Sequence, residues 1–292
     1  MRIINIVYMI IIRKYQQQVM KVENLEILRK CAEEIRRRIL PLVGTKEAAK
    51  TYGRGAGGDL TKEIDLRAEK ALIKKIEEEG VSCTILSEEK GIIELGESPK
   101  NLYIICDPLD GTTNALHGVP FMATSIAIAK RPLLNQIEAA VVMDIIHNVT
   151  YAAEKGRGAY KNNERIRPSQ ETDLVEAVIG VDINTYKAAN QTLHEKITRI
   201  IALNKHPRYF GANALQLCYV ADGTIDAFVD IRGKMRVLDM AAAYLIVREA
   251  GGIVTAPDGS MLEAKLTPQQ RISLVAAGNR KLHEEILRLI RD

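Results

Sequence analysis

The chain has no tryptophan and only three phenylalanines, and aromatics make up 4% of its 292 residues. Ile, Leu, Val and Ala must therefore fill any core, and a hydrophobic content of 47% supplies them. No charge of one sign dominates. The 41 basic and 37 acidic side chains leave a formal +4. That mixed surface is not one for nucleic acid, but it leaves anionic small molecules open as ligands. No CxxC pair occurs. Cys31, Cys83, Cys106 and Cys218 are far apart and read as buried, reduced thiols of a cytoplasmic protein. No apolar run is long enough to cross a membrane. The longest, "IINIVYMIII" at 3–12, stops at Arg13-Lys14, and no small-residue cleavage site follows it. Residues 1–21 read as an extension. Either the native chain starts at Met20, where an amphipathic helix begins, or the run docks as an N-terminal strand or helix. No repeat and no low-complexity segment is present.

What the chain does contain is alternation of helical and strand patterns. Leu25, Leu28, Cys31, Ala32, Ile35 and Ile39 predict a helix over 22–40, and Ile64, Ala68, Ala71, Leu72 and Ile76 another over 62–79. Between them "TYGRGAGGDLT", 51–61, carries four glycines within 53–58. It reads as a mobile loop, or as backbone that must approach something closely. Strand-like runs follow at 82–89, 102–106, 123–129, 137–143 and 149–153, with hairpin residues at 154–166. A polar connector at 168–173 is the candidate boundary between a lobe over 22–170 and a lobe over 171–292. In the second lobe, strands are expected at 177–182, 225–229, 252–255 and 272–276. Helices are expected at 192–203, 212–221, 238–250 and 280–291. This is a mixed α/β (α+β) pattern with sheets covered by helices.

The chemistry concentrates in "DPLDGTTN", 107–114, directly after the apolar run 102–106. Pro108 stiffens the turn, so Asp107 and Asp110 can point to one side while the Leu109 carbonyl offers another oxygen. Gly111-Thr112-Thr113 leads into a helix start and presents N–H groups to an anion. Other acids stand at strand ends and helix starts: Asp65, Glu88, Glu89 and Asp239. Clustered carboxylates repel one another unless a cation is present, and Mg²⁺ is commonly held by a few carboxylates, water and substrate phosphate. Two metals about 4 Å apart can clamp an in-line displacement at phosphorus. Taken singly, Asp239 is also an ordinary N-cap and Glu88-Glu89 an ordinary strand end. Arg232, Lys234 and Arg236 alternate and would share one face of a strand, as a phosphate site or as a solvated basic edge.

These motifs resemble those of the inositol monophosphatase family, which includes the lithium-sensitive phosphatases and the fructose-1,6-bisphosphatases. "DPLDGTTN" is similar to its DPxDGTxN signature and "ILSEE" to its upstream glutamate motif. "LDMAAAYLIVREAGG" is similar to WDxAAxxxxxxEAGG, and "GGDLTKEID" contains DxxTxxD. The resemblance spans roughly 22–290, and its basic 230–239 segment looks like that of archaeal members. It implies a layered αβαβα sandwich in two lobes with a metal site in the cleft between them. It places Glu88, Asp107, the Leu109 carbonyl, Asp110 and Asp239 as metal ligands for two or three Mg²⁺, with Mn²⁺ as a substitute. Asp65 and Thr112 would orient or deprotonate the attacking water. The amides of Gly111 and Thr112 would hold the phosphate, and Gly211, Ala212 and Asn213 the sugar or inositol ring. Arg232, Lys234 and Arg236 would take a second phosphate. Leu238 stands where the family has tryptophan, a position expected to support the helix start. The resemblance further implies a homodimer. Its substrate would be a small phosphorylated sugar or inositol: fructose 1,6-bisphosphate and inositol 1-phosphate. The alternatives are a 3′-phosphonucleotide phosphatase and a catalytically silent binder of sugar phosphate.

Overall fold

The structure, a computed structural model, describes residues 24–97, 99, 102–186 and 190–291. The apolar run at 3–12 and the extension expected over 1–21 lie outside the described residues. Helix α1 covers 24–39 among them. Its Leu28, Cys31, Ala32, Ile35 and Ile39 are fully buried, on the face their spacing predicts. A short antiparallel hairpin follows, β1 (Thr51–Arg54) with β2 (Leu60–Lys62). The glycine-rich stretch is thus the turn of a hairpin and not a plain loop. Helix α2 (Glu63–Glu78) buries Ile64, Ala68, Leu72 and Ile76. Each aliphatic side chain so removed from water contributes about 2 kcal/mol before the entropy of ordering is counted.

The central sheet runs β3 (Cys83–Ser87), β4 (Gly91–Leu95), β5 (Tyr103–Asp110), β6 (Ala123–Ala129), β7 (Ile137–Asp144), β8 (Val149–Glu154), β9 (Gly158–Lys161) and β10 (Glu164–Arg165). Its spatial order is β10-β9-β8-β7-β6-β5-β3-β4, antiparallel except between β3 and β5. Strand period divides its side chains. Ile85, Ile104, Cys106, Ile126 and Val141 face α1 and α2. Leu86, Ile105, Ala127, Ala140 and Val142 face the opposite layer. Helix α3 (Thr112–His117) leaves the end of β5.

The opposite layer is a pair of helices, α5 (Asn213–Ala221) and α6 (Val237–Ala250), buried on nearly every side. They are covered by a second sheet of β11 (Val178–Val181), β12 (His206–Arg208), β13 (Ala227–Arg236), β14 (Ile253–Thr255) and β15 (Arg271–Ala277), in the order β12-β11-β13-β15-β14. Here too the strands alternate. Phe228, Leu274 and Ala276 face α5 and α6. Ala227, Val229, Val275 and Ala277 face an outer layer of α4 (Gln191–Ala202) and α7 (Arg280–Arg291). The result is the αβαβα sandwich expected. Leu282, Ile286 and Ile290 of α7 are core residues of the chain itself.

Four strands were not anticipated: β1 and β2 of the glycine-rich hairpin, and β4 and β12. β4 and β12 both lie at sheet edges, where alternation is weakly enforced: Ile92 is exposed, and β12 contains Pro207. The expected end of β5 at 106 moves to Asp110, and β13 runs on from the expected 229 to Arg236. Both extensions carry site residues. All four cysteines are buried and free. Among the described residues, no helix is long and apolar enough to cross a membrane.

Candidate active site

β5 positions the first two acids. Asp107 pairs with Ser125 and Asp110 with Ala123, so three steps on β5 face two on β6. The extra residue is a bulge at Pro108-Leu109. Without it, residues 107 and 110 would point to opposite faces; with it, both turn toward α5 and α6. Asp107 Oδ1 accepts the Leu109 N–H at 3.0 Å, and Asp110 Oδ2 accepts the Ala214 N–H at the start of α5 at 2.6 Å. Glu88 follows β3, the parallel neighbour of β5, and Asp239 sits in the first turn of α6. Carboxylate oxygens of Glu88, Asp107 and Asp239 all lie within 4.8 Å of one another.

The second half of the site comes from α2 and α3. Asp65, in the first turn of α2, accepts the Lys62 N–H at 3.0 Å and the Thr112 hydroxyl at 2.9 Å. The same hydroxyl lies 3.2 Å from the Leu109 carbonyl oxygen. Gly111 caps α3 with φ 94°, and a Cβ there would stand 3.1 Å from both the Phe121 carbonyl oxygen and the Ala212 Cβ. Only glycine fits both the angle and the space. The first amides of α3 have no acceptor within their own helix.

These groups line a cleft of about 570 Å³, with Asp59, Glu89, Gly211, Asn213, Arg236 and the hairpin residues Arg54, Leu60 and Lys62 completing its wall. Ala212 is buried behind Gly111. Burial, and then the charge of Asp239, push Asp110 up to about 8. Burial pushes Asp65 up to about 6 against the pull of its two hydrogen bonds. It also pushes Glu89 to about 7, against the Thr61 hydroxyl. Burial, then the charges of Asp239 and Glu89, raise Glu88 well above the carboxylate range, and burial, then Glu88 and Asp239, raise Asp107 in the same way. Burial raises Asp239 as well, opposed by Arg236 and Arg271. Asp239 Oδ1 is buried without a hydrogen-bond partner. A set of hard oxygen donors, mutually repelling and holding an orphaned atom, fits a divalent cation. Acidic and apolar surroundings without nitrogen or sulfur ligands favour Mg²⁺ or Mn²⁺ over zinc.

The three cations of β13 do not come together. The register of β13 against β15 shifts between Asp230 and Met235, which breaks the simple alternation. Arg232 is held by Asp182 at 2.5 Å and Asp230 at 2.7 Å, with its side chain 6% exposed. Lys234 donates to the Tyr186 carbonyl at 2.5 Å. Arg236 alone of the three lines the cleft, beside Glu88 at 2.8 Å. The glycine turn fulfils the close-approach reading: Ala56 and Gly57 donate to the carbonyls of Glu89 and Glu88, each at 2.8 Å.

Some residues had no assigned role. Asn114, the last residue of "DPLDGTTN", donates to the carbonyls of Phe121 at 2.7 Å and Phe210 at 2.8 Å, tying the signature turn to the 210–213 segment. Glu69, fully buried in α2, accepts the Ser87 hydroxyl and the Lys90 N–H at 3.1 Å, and so fixes the turn that carries Glu88. Asn114 was marked by its place in the signature. Glu69 sits one turn beyond Asp65 and carried no separate signal.

Known proteins resemble this chain in sequence and fold. The sequence model of the inositol monophosphatase family matches residues 16–292. The fructose-1,6-bisphosphatase/inositol-1-monophosphatase of Methanothermobacter thermautotrophicus is 38% identical over 268 residues, covering 89% of this chain and 93% of that protein. A bifunctional NADP phosphatase/NAD kinase of Methanococcus maripaludis is 33% identical over 287 residues, covering 91% of this chain and 49% of that longer protein. The crystal structure of an inositol monophosphatase-fructose 1,6 bisphosphatase superposes with a TM-score of 0.78 at 30% identity, covering 90% of this chain and 98% of that one. The chain belongs to the inositol monophosphatase family and is one of its phosphomonoesterases.

Proposed function

We propose that the chain is a Mg²⁺-dependent sugar-phosphate phosphatase that converts fructose 1,6-bisphosphate to fructose 6-phosphate and hydrolyses inositol 1-phosphate. The observation that carries this reading is the convergence of Glu88, Asp107 and Asp239 oxygens within 4.8 Å beside the Asp65–Thr112 pair. The two activities named for the Methanothermobacter relative support the substrate class.

Charge supports the metal requirement. Seven acids line the cleft against three cations, Arg54, Lys62 and Arg236. A phosphorylated substrate would be repelled from it without bound cations. Glu88, Asp107 and Asp239, with Asp110 and the Leu109 carbonyl, are the residues that would hold two or three Mg²⁺. Bound there, such ions neutralise charge on the transferring group and lower the pKa of water.

The chain's own groups do the rest. Asp65 takes the proton of the attacking water, with Thr112 orienting it through the shared hydrogen bond. The amides of Gly111 and Thr112 hold phosphate oxygens at the start of α3. Gly211 and Asn213 border the sugar, and the three cleft cations are offered to a non-reacting phosphate. No Ser, Cys or His is among the described residues lining the cleft. Direct in-line attack therefore fits better than a covalent intermediate on one of those side chains.

The test is phosphate release with Mg²⁺ and with EDTA, from fructose 1,6-bisphosphate, inositol 1-phosphate, 3′-phosphoadenosine 5′-phosphate and NADP in parallel. Turnover of the first two, stopped by EDTA, is expected. Turnover of the nucleotides alone would move the substrate to phosphonucleotides, the direction in which the Methanococcus relative's name points. No turnover of any would leave a sugar-phosphate binder.

A further inference from the structure

Arg236 ends β13 directly opposite Arg271 of β15. Like charges facing each other across antiparallel strands are destabilising, so something must offset them. Arg271 donates to the Gly57 carbonyl at 2.6 Å. Arg236 spans three acids: its Nη1 lies 2.8 Å from Glu88 Oε1 and 3.9 Å from Asp239 Oδ2, and its Nη2 pairs with Asp59 of the hairpin turn. The turn is pressed onto this pair. A Cβ on Gly57 would lie 2.9 Å from Glu88 Cγ and 3.1 Å from Arg236 Nε. The hairpin turn, Glu88 and Arg236 form one packed unit, and its cation sits on a carboxylate that the acidic cluster offers to a metal.

We propose that Arg236 is the resident counter-cation of the metal-free site, competing with a divalent cation for Glu88 and tethering the hairpin turn to that ligand until the metal takes it. This rests on the reading of Glu88 as a metal ligand. A guanidinium and a metal ion on one carboxylate repel each other, so binding one weakens the other. The exchange would keep the apo site folded despite its buried acids, at a cost in apparent metal affinity. It also gives the two arginines of the β13–β15 rung a reason to stand opposite each other.

The test is calorimetric titration of Mn²⁺ into metal-free protein without substrate, for wild type, Arg236→Gln, Arg236→Lys and Glu88→Gln. Arg236→Gln is expected to bind Mn²⁺ on the order of tenfold more tightly. Arg236→Lys, which keeps the charge, is expected to stay near wild type. Glu88→Gln is expected to bind more weakly. In EDTA, Arg236→Gln should also melt below wild type and be cut faster by trypsin after Arg54, and Mn²⁺ should close the melting gap. If Arg236→Gln binds no more tightly than wild type while Glu88→Gln loses affinity, the counter-cation role is overturned and the metal site stands. If Glu88→Gln binds as tightly as wild type, the metal reading of Glu88 fails and takes the proposal with it. Should Arg236→Gln not fold in EDTA, the double variant Arg236→Gln/Asp59→Asn, which leaves the net charge unchanged, gives the same comparison.

Discussion

The Thr112 hydroxyl lies 2.9 Å from the Asp65 carboxylate, joining the signature turn to a helix 47 positions earlier in the chain. That hydroxyl has one proton and two acceptors in reach, Asp65 and the Leu109 carbonyl. Donation to Asp65 leaves its lone pairs free for a water proton. Asp65→Asn keeps size but weakens the acceptor, and removes the proposed base. Turnover with Mg²⁺ is expected to fall by about 10²–10⁴, with Mn²⁺ affinity by titration little changed. A loss of metal binding equal to the loss of turnover would make Asp65 a ligand first and a base second.

Metal-free stability should fall as pH rises. Burial lifts Asp110 to about 8 and Glu89 to about 7, from ordinary values near 4. Between those limits the native state keeps protons that the unfolded chain has released, so ΔG of unfolding declines with increasing pH. In EDTA, the melting temperature is expected to drop by roughly 5 °C or more between about pH 5 and about pH 8. Mg²⁺ binds the ionised native site, so its stabilising effect should be larger at the higher pH. Differential scanning calorimetry at both values, with and without Mg²⁺, decides this. An equal metal effect at the two pH values would speak against the cluster as its site.

Gly111→Ala tests the turn itself. The residue has φ 94°, and the new methyl would press on the Phe121 carbonyl oxygen and the Ala212 Cβ, both at 3.1 Å. A destabilisation of about 1–3 kcal/mol is expected from the backbone angle alone, and turnover should fall with it because the α3 amides shift. Denaturant unfolding and steady-state kinetics measure the two effects. An unchanged kcat would remove the α3 start from the phosphate site.

Leu238, where the family has tryptophan, is 1% exposed within the layer between the two sheets. Leu238→Ala is expected to cost about 2–5 kcal/mol of stability. Leu238→Trp is expected to cost about 1–3 kcal/mol by overpacking, because the surrounding Ala- and Leu-rich layer has closed around the smaller side chain. Both variants, assayed well below their melting points, should retain most of the wild-type kcat.

Much of this architecture was legible in advance. Helices α1, α2 and α7 bury the stripes their apolar spacing marks, since a helix has one way to hide such a stripe. β6 and β7 have near-continuous apolar runs because helices cover both faces of their sheet. Edge strands β4 and β12 escaped because an edge imposes little on its residues. The β1–β2 hairpin was obscured by glycines that its close approach to Glu88 and Glu89 requires.

The site divides along the same line. The one-dimensional order of residues determined which oxygen donors exist, that Asp107, Asp110, Gly111 and Thr112 share a stiff turn, and which family the motifs resemble. Local geometry acts within a few residues, so a local pattern can specify it. Only the tertiary structure decided that Glu88 and Asp239, far apart in the chain, meet Asp107 within 4.8 Å. It also decided the fate of the β13 cations: a register shift sends Arg232 to Asp182 and Asp230 and leaves Arg236 in the cleft. Strand period alone made the three equivalent. Partners supplied by β11, β3 and the hairpin turn made them different, and such long-range pairing is set by how layers pack and not by spacing along one strand.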